Sequence, residues 1–328
     1  MTTRLIALLS SALAMSVACL GQPTPALVFE QKIPLPGVKG RIDHLSFDAA
    51  GQRLFVSALG NGTVEVLDIA RRKPVHEILG LKEPQGVLFD EADNRVYVAS
   101  GGDGTIRSYD GDLLTPMKTV HLGDDADNLR YDPRTKEILV GYGSGGIASF
   151  TKDLEKTSDV QLPSHPESFQ IEQHGAFIFV NLPKSLSIGV IDRSRNELIH
   201  QWHESEALAN FPMALDEKNR RLFVGFRTPA RLLVLDADHG KTIAQMPITG
   251  DADDLFYDSS RHRIYVIGGA GSLDVIDQLD GDHYKQIDEL STSPGARTGL
   301  FVPSRSRLFI AAPQHGSEPA AILVYRVQ

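Results

Sequence analysis

The chain has 328 residues, is 41% hydrophobic and carries a formal charge of −9. That content supports a large core, and the acidic balance argues against a nonspecific grip on nucleic acid or on an anionic membrane. Cys19 is the only cysteine, so no disulfide framework is available and stability must come from packing.

Residues 1–21 read as an export signal. Arg4 supplies the positive start, an apolar stretch runs from Leu5 to Leu20, and small residues from Ala18 to Gly21 mark the cleavage region. A periplasmic or secreted protein is expected, with residues 22–328 as one mature domain. The polar segment after Gly21 disfavours a retained transmembrane helix, and no other stretch approaches spanning length. Ser16 to Cys19 loosely resembles a lipoprotein-processing box with Ser16 where Leu is usual, which leaves lipid anchoring through Cys19 as the alternative.

Residues 28–35 form a first isolated strand. Seven apolar strand segments then begin at Leu54, Val96, Ile138, Ile178, Leu222, Ile264 and Leu308, spaced 42, 42, 40, 44, 42 and 44 apart. A period in the low forties with several short strands per unit predicts an all-β chain: a seven-bladed β-propeller of four-stranded antiparallel blades. In the second unit the strands are residues 85–90, 95–100, 105–110 and 117–122, with a turn at Asp93 and Asn94 and another through Gly101 to Gly104. Only residues 204–210 offer a short helical turn. The seventh unit stops after its third strand, residues 322–327. The strand at 28–35 is therefore expected to complete that blade, closing the ring and removing exposed sheet edges.

The segments Val96-Tyr97-Val98-Ala99-Ser100 with Gly104-Thr105-Ile106, and Leu54-Phe55-Val56-Ser57 with Gly62-Thr63-Val64, resemble YVTN-type β-propeller repeats of bacterial extracytoplasmic proteins. The resemblance covers about residues 27–328 and is loosest in the fourth and fifth units, where Pro183 and Pro229 alter the turn. It implies a seven-bladed scaffold outside the cytoplasm and no single activity, since its members and look-alikes include ligand binders, surface proteins, lactonases and lyases.

In a propeller, the loops entering the innermost strands converge near the axis. Taking Asp48, Asp90, Asp132, Glu172, Asp216, Asp258 and Pro303 as equivalent strand ends, the positions five residues earlier are Asp43, Gln85, Asp127, Glu167, Phe211, Asp253 and Thr298. Next to them stand His44, Asn128 and Asp254, and two positions before them Arg41, Asp125, His165 and Asp251. Asp125 and Asp251 are 126 residues apart, three blade periods, which sets them across the channel. Converging carboxylates must protonate, meet Arg41 or Arg297, or bind a cation. The metal-ligand candidates are Asp43, His44, Asp127, His165, Glu167 and Asp253. Oxygen donors suit Ca²⁺ or Mg²⁺, and the two histidines shift the preference towards Zn²⁺ or another transition metal. The competing reading is structural: Asp and Asn in such places cap turns or bridge blades through backbone N–H groups.

His315, in the loop between the second and third strands of the last unit, is a further candidate on the same face. Gly141 to Gly146 fits a GxGxxG pattern, but a strand follows it, so it reads as a turn and not a dinucleotide site. His200 and His203 lie an odd step apart in a strand and point to opposite faces, and Trp202 reads as packing. No GxSxG, HExxH, Walker or CxxC signature is present. The expected function is an exported binding or interaction protein, monomeric, offering this acid-rich face to a metal, a small ligand or a partner protein. The alternative is a metal-dependent lactonase-like hydrolase or lyase on the same face, with His44 or His165 as base.

Overall fold

The computed structural model describes residues 25–328; the expected export signal and Cys19 lie outside them. Seven four-stranded antiparallel sheets form the blades of a β-propeller. Blade 1 comprises Leu45–Asp48, Arg53–Ala58, Thr63–Asp68 and Lys73–Ile78, ordered from the axis outwards. The same plan repeats over residues 84–121, 129–161, 169–203, 208–247 and 252–291 for blades 2 to 6. Strand limits in blade 2, such as Arg95–Ser100 and Thr105–Asp110, match the sequence reading to within a residue.

Blade 7 joins Thr298–Val302, Arg307–Ala312 and Ala321–Val327 to Leu27–Pro34. The pairing runs antiparallel from Leu27↔Val327 to Pro34↔Ala321, with a bulge between Phe29 and Gln31. The first and last strands of the described residues thus share one sheet. Ile33 on the closing strand is fully buried among residues of blades 1 and 7.

The second strand of each blade is the most apolar because neighbouring blades cover both its faces. Phe55, Val64 and Val66 of blade 1 pack with Val87, Phe89, Val96 and Val98 of blade 2. The Phe55 and Phe89 rings stack at 5.5 Å, and the Arg53 guanidinium lies 5.5 Å from each. Carboxylates ending the innermost strands tie blades together at the other end of the channel: Asp132 pairs with Arg193, and Glu172 with Arg220.

The helical turn expected at 204–210 is not formed. That segment bends and enters the first strand of blade 5, Leu208–Asp216, where pairing with Arg221–Thr228 satisfies its backbone groups. Short 3₁₀ turns occur instead at Leu59–Asn61, Pro183–Ser185 and Pro303–Arg305. Among the described residues, no helix is long and apolar enough to cross a membrane.

Candidate functional site

The loops entering the innermost strands bring the register positions together as a polar ring at one mouth of the channel. Their backbone repeats as the sequence does. Glu83, Asp125, Ala209 and Asp251, equivalent positions of four blades, all adopt positive φ, 46° at Asp125 and 54° at Asp251. Space between blades is tight here: a Cβ on Gly86 would lie 2.1 Å from the Asp127 carbonyl oxygen, so only glycine allows blade 2 to close against Asp127.

His44 lies at the centre of the ring. Its Nε2 stands 3.8 Å from Asp43 Oδ1 and 3.9 Å from Asp127 Oδ1, and its Nδ1 3.8 Å from Asp254 Oδ1. Burial works to hold the imidazole's pKa down, but the carboxylates of Asp43, Asp254 and Asp127 outweigh it and raise it.

Charge compensation around the ring is uneven. Burial pushes Asp43 up, and its counterions are His44 and Arg41, the latter in direct hydrogen-bonded contact. Asp251 and Asp253 face two guanidinia. Arg297 Nη1 donates to both Asp251 oxygens at 3.1 and 3.0 Å, and Arg227 Nη2 donates to Asp253 at 2.6 Å. Arg227 also stacks 3.7 Å from the Phe211 ring centre. Burial still drives Asp253 up to about 7 and Asp254 up to about 6. Asp254 bridges blades, its Oδ2 accepting the Gly299 N–H at 2.7 Å, which is the structural role the sequence allowed for such residues.

Blades 3 and 4 are different. Asp127, His165 and Glu167 bring one donor atom each to within 4.8 Å of one another, with no guanidinium in ion-pair contact with either carboxylate among the described residues. The sequence explains the geometry: Ser164-His165-Pro166-Glu167 enters blade 4 directly beside Asp127, and the Glu167 N–H is anchored on the Asn181 carbonyl at 3.1 Å. Asp127 is 7% exposed, and its Oδ1 is buried without a hydrogen-bond partner. His165 Nδ1 donates to the Gly143 carbonyl at 2.7 Å, which fixes the ring and turns Nε2 towards Asp127 Oδ2 at 3.9 Å. A backbone carbonyl orienting a histidine in this way is a common support for a metal ligand. Against its burial, contacts with Asp127, Gly143 and Asp125 raise His165 to about 9. Burial, reinforced by Asp127, pushes Glu167 up to about 7. The Asp127 carboxylate contributes to both shifts, with burial the larger cause for Glu167 and the Gly143 carbonyl a further one for His165, and a divalent cation would neutralise its charge. An imidazole raised to about 9 is protonated at neutral pH, so in the metal-free ring His165 must give up that proton before it can act as a base or as a metal ligand.

Of the six expected metal ligands, the structure therefore gathers Asp127, His165 and Glu167, while Asp43, His44 and Asp253 have other ionic partners. Asn128 is buried: its carbonyl accepts the Gly141 N–H at 3.0 Å, and its Oδ1 has no partner. His315 does not join the ring. It is exposed, its backbone pairs with Glu318 within the loop, and Glu318 ties that loop outwards to Lys32 on the closing strand. His200 and His203 are exposed and Trp202 packs on Phe179 at 5.8 Å. Gly143 to Gly145 form the expected inter-strand turn, whose carbonyl at Gly143 serves His165.

Two ring residues escaped the sequence reading. Arg227 ends the second strand of blade 5 and reaches back to the ring. Arg130 projects from the innermost strand of blade 3 into the channel beneath it. Two residues before each strand end stand Ser46, Leu88, Arg130, Gln170, Ala214, Phe256 and Phe301, so the same register shows a single charge at that level.

No family profile matches the chain, and no curated protein matches it. Among solved structures, 1710 chains match, a breadth that marks a fold shared by many functions. A chain of Kuenenia stuttgartiensis hydrazine synthase is 15% identical with a TM-score of 0.73, over 88% of this chain and 98% of that one. A chain of a mitotic checkpoint complex is 14% identical with a TM-score of 0.75, over 100% and 99%. At such identities the likeness shows the β-propeller fold alone, a scaffold suited to binding and interaction.

Proposed function

We propose that this chain is an exported, YVTN-type propeller that binds a divalent cation at Asp127, His165 and Glu167 and presents it, on the acid ring, to a small ligand or partner protein. The observation that carries the reading is the convergence of three donors from two blades around a buried Asp127 oxygen that has no hydrogen-bond partner. One nitrogen and two carboxylates favour Zn²⁺ or a similar transition ion over Ca²⁺, and three protein donors leave coordination positions open for a ligand. The site is built on strand-entry loops held by backbone hydrogen bonds, so little reorganisation would accompany binding. Calorimetric titration of chelator-treated protein with Zn²⁺, Mn²⁺ and Ca²⁺ tests it. Saturable binding that His165→Ala and Glu167→Ala abolish supports the reading, and a folded protein that takes up none of the three ions defeats it.

The hydrolase or lyase reading keeps one favourable observation. Glu167, with its pKa near 7, would be poised for proton transfer in the metal-free ring. A cation bound by Glu167 would remove that capacity. Turnover of lactones or esters that disappears as zinc is loaded would support this use of Glu167, and turnover that rises with metal content would support the metal-dependent hydrolase or lyase in place of the binder.

A further inference from the structure

Beneath the ring, the innermost strands of all seven blades enclose a cavity of about 320 Å³. Its wall is polar and apolar in about equal measure: Ser46, Ser168 and Gln170, with His44 and Asp254 of the ring, lie alongside an apolar part formed by Leu88, Met213, Phe256 and Phe301. Arg130 is the one Lys or Arg among its lining residues. Its guanidinium makes a single hydrogen bond among the described residues, to the Leu129 carbonyl at 2.9 Å, and no ion pair. Its Cζ lies 5.6 Å from the Phe169 ring centre. The nearby carboxylate of Asp254 is committed to the Gly299 N–H and faces His44. Most of the guanidinium's donors thus have no partner among the described residues and face the cavity, and burial depresses its pKa.

We propose that this cavity binds a small organic monocarboxylate, its carboxylate forked on Arg130 and its apolar body against Leu88, Phe256 and Phe301. A planar guanidinium with free donors matches a carboxylate in two parallel hydrogen bonds. The apolar part of the wall would contribute affinity for a hydrocarbon body that an inorganic oxyanion lacks. Asp127, His165 and Glu167 do not line the cavity, so the carboxylate site shares no residue with the cation centre, although His44 and Asp254 of the ring border it.

Calorimetric titration of the mature chain with benzoate, benzyl alcohol and inorganic phosphate tests the proposal, before and after chelator treatment. Benzoate is expected to bind saturably in both states, with benzyl alcohol weaker by at least about tenfold, the worth of a charge-assisted hydrogen bond. Phosphate is expected not to compete. Arg130→Met should remove the preference for benzoate over the alcohol, with circular dichroism verifying its fold. The comparison of the three ligands on the unmutated chain decides the matter even if that variant fails to fold. No benzoate binding, equal binding of the alcohol, phosphate binding in its stead, or unchanged benzoate binding by a folded Arg130→Met protein would each overturn the proposal.

Discussion

Replacing Glu167 by Gln should act in opposite directions on the metal-free and metal-bound protein. The Glu167 side chain has no hydrogen bond or ion pair among the described residues, and burial with Asp127 nearby pushes its pKa up to about 7. A carboxyl whose folded pKa lies above its unfolded value contributes stability that is fully present below the unfolded value and lost as pH rises through the folded one. Ionised Glu167 therefore costs the metal-free fold stability between about pH 4 and pH 7. The gap of between two and three pH units would be worth about 3 kcal/mol at full burial; with the group partly exposed, about 1–2 kcal/mol is expected. Glu167→Gln should then raise the melting temperature of chelator-treated protein at pH 8 by about 2–3 °C and leave it nearly unchanged at pH 4. The same variant should weaken Zn²⁺ binding by at least about tenfold, because a ligand oxygen is replaced by a neutral amide. Scanning calorimetry at the two pH values and a zinc titration measure both effects. A metal-free variant that melts below the parent at pH 8 would refute the reasoning, since the carboxylate would then be making a favourable structural contact.

Further outcomes follow from the same structure. Without metal, the protein should lose stability from about pH 5 to pH 9, because Asp254, Asp253, Glu167 and His165 all have raised pKa values, about 6, 7, 7 and 9; a flat denaturant midpoint across this range would contradict it. Ile33→Ala, at a fully buried position of the closing strand, should cost about 3 kcal/mol in urea unfolding, and a cost below about 1 kcal/mol would mean the closure contributes little. Arg193→Ala should cost about 3 kcal/mol by leaving buried Asp132 unpaired between blades, and neutral behaviour would show that pair to be dispensable.

The fold was legible because each blade must bury its second strand on both faces, so Leu54, Val96, Ile138 and their equivalents recur at blade spacing. The ring was legible for a related reason. Blades are geometrically equivalent, and a residue's offset from its strand end fixes its height along the channel, which placed Asp43, Asp127, Glu167 and Asp253 on one level. What the register could not convey is which carboxylates meet a cation already in the chain. Arg227 reaches the ring from another strand, and its pairing with Asp253 is set by the packing of its guanidinium on Phe211. His315 failed for the complementary reason: its loop is long enough to follow Glu318 outwards to Lys32 instead of turning to the axis. Arg130 lies one register level below the acid ring, where a lone charge among Leu88, Phe256 and Phe301 is the available signal.

The most direct test of the cation centre is an anomalous difference map from crystals of zinc-loaded protein, with data collected on either side of the zinc edge. One strong peak is expected between Asp127, His165 and Glu167, within coordination distance of all three. A peak beside Asp43 and Asp254 instead, or none on the ring from protein that retains zinc elsewhere, would contradict it.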